Sequence, residues 1–123
     1  MAKNSVTVVI PVHNEAPAFA HNFEVILRHL DALQGIKTDV LIVDDGSKDK
    51  TVEVVTGFCD ARDNVKLICL TRNFGKEAAI HAGLDNAPGD AVIVMDSDLQ
   101  HPPELIPRMI ALWREGASIV EAY

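Results

Sequence analysis

Ser5-Val6-Thr7-Val8-Val9-Ile10-Pro11-Val12, running straight into His13-Asn14-Glu15, is the stretch that decides the fold. It is β-branched and almost continuously apolar, the pattern of a strand buried on both faces of a parallel sheet. Working outward, Phe19, Phe23, Ile26, Leu27, Leu30 and Leu33 recur at helical spacing, and Gly35 stands where a helix C-cap is expected. Val40 to Val43 predicts a second strand, and Asp49 to about Phe58 a helix with Val52, Val55 and Phe58 on one face. The third couplet is Val65 to Leu70 and then Gly75 to Asn86, with Asn73 as N-cap and Pro88-Gly89 as the stop. Ala91 to Met95 predicts a fourth strand, followed by a helix that opens at Pro102-Pro103, places Met109 and Trp113 at core spacing, and ends at Gly116.

A fifth strand is expected from Ser118, and the chain stops at Tyr123, inside or just after it, which reads as a piece of something longer. Strands alternating with helices predict βαβ units and helices on both faces of a mostly parallel sheet. The expectation is therefore a three-layer α/β/α, Rossmann-like domain, truncated after about the fifth strand, with residues 1–123 as one folding unit.

Composition narrows the function. The 123 residues are 48% hydrophobic and 24% charged, ordinary for one globular core and unlike a disordered chain. Eleven basic against eighteen acidic residues give 11 − 18 = −7, so nucleic acid and anionic membrane surfaces are repelled overall. An anionic ligand then needs a local cation or a metal. Cys59 and Cys69 lack metal-finger or disulfide-framework spacing and are expected to be reduced, partly buried thiols. No signal-peptide pattern opens the sequence and no apolar run approaches the roughly 18 residues of a membrane span, so a cytoplasmic location is expected for this segment.

Each strand ends in a polar cluster: His13-Asn14-Glu15, Asp44-Asp45-Gly46-Ser47, Thr71-Arg72-Asn73 and Asp96-Ser97-Asp98-Leu99-Gln100. A parallel sheet puts all four on one rim, and open α/β sheets bind ligands outside the carboxyl ends of their strands. Asp96 and Asp98, at i and i+2 in a turning segment, can converge on a hard cation such as magnesium or manganese, with Gln100 as a neutral oxygen ligand. The plainer alternative makes Asp98 a helix cap and Asp96 a solvated turn residue. Asp45 and Glu15 read equally as acceptors for ribose hydroxyls or base N–H groups, or as turn and first-turn carboxylates. Arg72 and Lys76 beside a helix start are candidates for phosphate oxygens; alternatively Arg72 pairs with a rim carboxylate and Lys76 is solvated. His21, His29 and His81 read as structural, while His13 and His101 lie on the rim. Dinucleotide, P-loop and nucleophile-elbow motifs are absent.

With these residues assembled, the sequence resembles the N-terminal half of the inverting family 2 glycosyltransferases of GT-A fold. Val9-Ile10-Pro11-Val12-His13-Asn14-Glu15, Ile42-Val43-Asp44-Asp45-Gly46-Ser47 and Asp96-Ser97-Asp98 carry the likeness across essentially the whole chain. Arg72-Asn73-Phe74-Gly75-Lys76 and Asp96 to Glu104 narrow it to a branch similar to dolichyl-phosphate mannosyltransferases and bacterial undecaprenyl-phosphate glycosyltransferases. The resemblance implies that Pro11, His13, Glu15, Val43 and Asp45 contact the donor nucleoside. It also implies that Asp96, Asp98 and Gln100 hold the metal and diphosphate, with Ser97 beside them, and that Asp96 and Asp98 are catalytic. The family usually has Tyr where this chain has His13.

The reaction so implied moves a sugar, with inversion, from a UDP- or GDP-sugar to a polyisoprenyl phosphate. The acceptor site lies in residues beyond this segment, so the isolated segment is expected to be inactive. The parent would be membrane-associated with this domain on the cytoplasmic face. The alternatives are a non-catalytic nucleotide-binding module and a receiver-type signalling domain, the latter requiring an acid pair at the first strand and a Lys at the last.

Overall fold

A computed structural model describes residues 5–87, 91–98 and 105–114. The chain alternates strand and helix: β1 (Ser5–Val12), α1 (Ala16–Asp31), β2 (Lys37–Asp44), α2 (Thr51–Ala61), β3 (Val65–Cys69), α3 (Lys76–Asn86), β4 (Ala91–Val94) and α4 (Leu105–Arg114). All pairings in the four-stranded sheet are parallel, in the order β3-β2-β1-β4. The first strand is thus central, as its unbroken apolar run requires, and Val6, Val8, Val9 and Ile10 are completely buried.

Alternation along β1 divides the core into two layers. Val6, Val8, Ile10 and Val12 join Phe19, Phe23, Ile26, Val55, Ile106 and Met109, so α1, α2 and α4 cover one face. Phe19, Phe23 and Phe58 form an aromatic group there, with centroids 4.9–6.0 Å apart. The opposite face is made by Val9, Leu41, Val43 and Ala79, under α3. Helix α3 has little apolar bulk to bury and compensates by close approach. A Cβ on Gly83 would meet Val9 Cγ1 at 2.4 Å and Val43 Cγ2 at 3.3 Å.

Some boundaries differ from expectation, each for a local reason. Strand β2 starts at Lys37 because Lys37, Thr38 and Asp39 pair with Ser5, Val6 and Thr7; their polar side chains hid the strand. Helix α1 ends at Asp31 with Ala32 as C-cap, and Gly35 instead takes the left-handed turn into β2 at φ +72°. Asp49 stays outside α2, where its carboxylate accepts the Thr51 N–H at 2.9 Å. Gly75, at φ +104°, replaces Asn73 as the N-cap of α3. Cys59 is half-buried but Cys69 is exposed, and both are free thiols. Pro102, Pro103, His101, Gly116 and the fifth strand from Ser118 lie outside the described residues, as do the stop at Pro88-Gly89 and the side chain of Trp113.

Gly83→Ala is expected to destabilise the chain by about 1–3 kcal/mol, the usual range for forcing a methyl into a packed interface. Urea denaturation measures this. An unchanged midpoint would mean that α3 can move off Val9 without loss.

Candidate functional site

Strands β1 and β2 send their connections across one face, while the α3 connection crosses the other to reach β4. The order therefore reverses between β1 and β4, the switch point at which open α/β sheets leave a crevice. A pocket of about 340 Å3 opens there, lined by Pro11, Val12, His13 and Glu15 from the end of β1 and Asp45 from the end of β2. Lys76 at the start of α3, with Asp96 and Asp98 after β4, completes the lining. Of the site residues predicted from sequence, Pro11, His13, Glu15, Asp45, Lys76, Asp96 and Asp98 thus converge on one cavity, whereas Val43, Arg72 and Ser97 are not in its lining.

Backbone register explains the convergence. Val12 pairs with Asp44, and Asp45 N–H continues the ladder to Val12 O at 2.8 Å. On the other side Val9 pairs with Val94, and Met95 N–H donates to Val9 O at 3.1 Å, so Asp96 emerges level with the end of β1. Ser97 is 2% exposed, and its hydroxyl donates to Glu15 Oε2 at 2.6 Å across the switch point.

Glu15 itself is fixed by the start of α2. Its N–H donates to Thr51 Oγ1 at 2.8 Å, the Thr51 hydroxyl donates to Asp49, and Asp49 Oδ2 accepts Ala16 N–H at 3.2 Å. These hydrogen bonds hold the Asp49 carboxyl below its ordinary range.

The Asp44-Asp45 pair splits into two jobs. Asp44 is 2% exposed and accepts the Ser47 N–H at 2.9 Å together with the Ser47 hydroxyl, an Asx-type turn. Asp45 lines the pocket and accepts the N–H groups of Phe74 and Gly75 at 2.8 and 3.0 Å, which leaves carboxylate lone pairs directed elsewhere. Immediately after them Gly46, at φ +69°, brings the loop after β2 against the loop after β3. A Cβ there would lie 2.4 Å from both Arg72 C and Asn73 N.

The two rim cations exchange the parts that the plainer reading gave them. Lys76 Nζ is paired with Asp96 Oδ1 at 2.7 Å, whereas Arg72 lies over the exposed Phe74 ring at 4.7 Å from its centroid and does not line the pocket. Val43 is fully buried with Val9 and Ala79 and also stays out of the pocket lining. Gln100 and His101 lie outside the described residues.

Four carboxylates therefore face one cavity, and Lys76 is the one cation lining it among the described residues. The strain registers at Glu15. Burial pushes its carboxyl above the ordinary 4.5, the Ser97 hydroxyl pulls it down, and Asp98 and Asp96 push it up again. Asp96 and Asp98 supply the hard oxygen donors that suit magnesium or manganese, which commonly take one or two carboxylates and complete their shells with water and phosphate. No group of three or more His, Cys, Asp or Glu able to hold a metal occurs among the described residues. The donor set thus fits a cation shared with a ligand and not a closed structural site.

A parallel sheet in the order 3-2-1-4 with an acidic crevice at its switch point defines the chain as an α/β domain of GT-A type. The chain belongs to glycosyl transferase family 2, whose family model matches residues 7–122. It is 45% identical over 116 residues to an uncharacterized glycosyltransferase of Synechocystis, and 40% identical over 117 residues to a bactoprenol glucosyl transferase of Shigella phage SfX. Those alignments take in 94% and 95% of this chain but only 36% and 38% of the relatives, so the chain spans little more than a third of their length. A mannosyltransferase of Pyrobaculum calidifontis, solved with GDP-Man and Mn2+, superposes with a TM-score of 0.66 at 29% identity, over 76% of this chain and 27% of that one. Membership in this family replaces the receiver-type alternative. Among the described residues no helix is long and apolar enough to cross a membrane.

The raised Glu15 carboxyl has a signed consequence. The folded state binds this proton more tightly than the unfolded chain, so its effect on stability is unfavourable once pH rises through the raised value, and vanishes below the ordinary 4.5. Glu15→Gln keeps an oxygen for the Ser97 hydroxyl and removes the charge. It is expected to raise the melting temperature at neutral pH, with the gap to the parent closing in acid; a lower melting temperature at neutral pH would contradict this.

Proposed function

We propose that this chain carries the donor site of an inverting, divalent-cation-dependent transferase that moves a sugar from a UDP- or GDP-sugar to a polyisoprenyl phosphate. The observation that carries the reading is the convergence of Glu15, Asp45, Asp96 and Asp98 on one pocket at the sheet's switch point. In this reading Glu15 and Asp45 accept hydrogen bonds from ribose hydroxyls or base N–H groups, while Pro11 and His13 shape the nucleoside end. Asp96 and Asp98, with Gln100, hold the cation at the diphosphate, and Ser97 keeps Glu15 oriented.

A bound divalent cation would supply charge neutralisation for the departing nucleoside diphosphate. Lys76 adds a second positive charge on the same side, beside Asp96 and the start of α3. Arg72 is stacked on Phe74 outside the pocket lining. A phosphate acceptor is already ionised near neutral pH, so the chemistry requires no general base. The relative named for bactoprenol supports the lipid acceptor, and the neighbour solved with GDP-Man and Mn2+ supports the donor and the cation. The parent protein is then membrane-associated, presenting this domain on the cytoplasmic face, with acceptor contacts outside this segment.

Calorimetry with UDP and GDP tests the donor site. Binding is expected to require manganese or magnesium, and Asp96→Ala or Asp98→Ala to weaken it about ten- to a hundredfold, the loss of a charge-assisted contact. Nucleotide affinity that survives chelation unchanged, or no binding of either nucleotide with manganese present, would overturn the proposal.

A further inference from the structure

Both ring nitrogens of His13 are engaged by protein atoms. Nδ1 lies 2.7 Å from the carbonyl oxygen of Asp45, and because a carbonyl only accepts, Nδ1 carries a proton. Nε2 lies 3.1 Å from Asn73 Nδ2 and 3.2 Å from Asn14 Nδ2. Backbone donors set the orientation of both amides. Asn73 Oδ1 accepts the Gly75 N–H at 3.1 Å, and Asn14 Oδ1 accepts the Lys48 N–H at 2.8 Å. Nε2 therefore accepts from two amide N–H groups, and the ring is the neutral Nδ1–H tautomer.

We infer that His13 is a positioning residue of the donor pocket: as a neutral imidazole it ties the loops after β1, β2 and β3 into one frame, and its protonation releases that frame. A proton on Nε2 sets a donor against two donors. Relief means turning Asn73 or Asn14, which withdraws the acceptor from Gly75 N–H or Lys48 N–H. The Gly75 and Phe74 N–H groups also hold the Asp45 carboxylate, so the disturbance passes directly to a pocket wall.

The charged groups that line the pocket with the ring are Glu15 on its own loop, Asp45 just after β2, Lys76 at the start of α3, and Asp96 and Asp98 beyond β4; Arg72, next to Asn73 in sequence, lies over Phe74 outside that lining. The groups hydrogen-bonded to the ring nitrogens are the Asp45 carbonyl and the two amides, none of them ionisable. Neither nitrogen is left to read a base edge, so His13 acts on the donor through Asp45 and the loop after β3. The link to donor affinity rests on the donor-site reading above; the hydrogen-bonded frame does not.

Nitrogen-15 NMR of the chain from about pH 8 to 5, the range in which imidazoles ordinarily gain their proton, tests the frame. The expected result is the Nδ1–H tautomer at the alkaline end, with the amide signals of Lys48, Phe74 and Gly75 moving together with the His13 ring-nitrogen signals. In His13→Gln, whose amide offers an NH2 donor group, a carbonyl acceptor and no titrating proton, those movements should be absent. An Nε2–H tautomer, which needs no variant to observe, or identical amide movements in His13→Gln would overturn the inference.

In the binding arm, UDP or GDP affinity is expected to fall about tenfold more over that range in the parent chain than in His13→Gln. Equal falls in both chains would overturn the link to donor binding. Failure of the parent to bind either nucleotide at any pH would instead defeat the donor-site reading, while the NMR result still decides the frame.

Discussion

The position of β1 between β2 and β4 is the constraint on which the rest depends. A strand apolar on both faces has to be covered on both, and the chain meets this by sending α1, α2 and α4 to one side and α3 to the other. That division produces the reversal of strand order between β1 and β4. The crevice is therefore a product of core packing, before any polar residue is considered. Register then decides what fills it: with Val12 opposite Asp44 and Val9 opposite Val94, the residues that follow arrive at one height.

Those residues are mostly acidic, and acidic groups crowded around one cavity work against folding. Burial raises the Glu15 carboxyl, Asp98 and Asp96 add to that rise, and Lys76 on Asp96 relieves part of the crowding. The same crowding makes a cation welcome. A divalent ion placed between the carboxylates and a diphosphate removes repulsion on both sides, so a rim that repels a bare anion can hold one that arrives with its metal. The net charge of −7 and an anionic donor are compatible on these terms.

Much of this was legible in the sequence. Continuous apolar runs mark the strands, helical spacing at Phe19, Phe23 and Ile26 marks α1, and parallel pairing follows from the βα rhythm, so the rim and its carboxylates can be read from the sequence. What escaped depends on contacts between segments far apart in the chain. Nothing local says that Lys76 and not Arg72 pairs with Asp96, since the choice is made by where Phe74 offers its ring. The polar side chains of Lys37, Thr38 and Asp39 hid the start of β2, because strand pairing there is a backbone matter. The engagement of both His13 nitrogens likewise needs Asp45 and Asn73, 32 and 60 residues away.

The rim and the core are built by different means, and this separates binding from folding. The two apolar layers hold the sheet through Val, Ile, Leu and Phe, whereas the pocket wall is held by backbone approaches at Gly46 and by hydrogen bonds among His13, Asn14, Asp45, Asn73 and Ser47. Losing a methyl from the core leaves a cavity against the sheet, whereas losing one rim hydrogen bond removes a contact between loops and none of the ladder that pairs the strands. Gly46 is the exception, because its missing Cβ lets the backbones of two loops touch. A side chain there would drive apart the loops that carry Asp45 and Asn73, and the pocket would lose its shape at the point where the His13 frame and the Asp45 carboxylate share a wall.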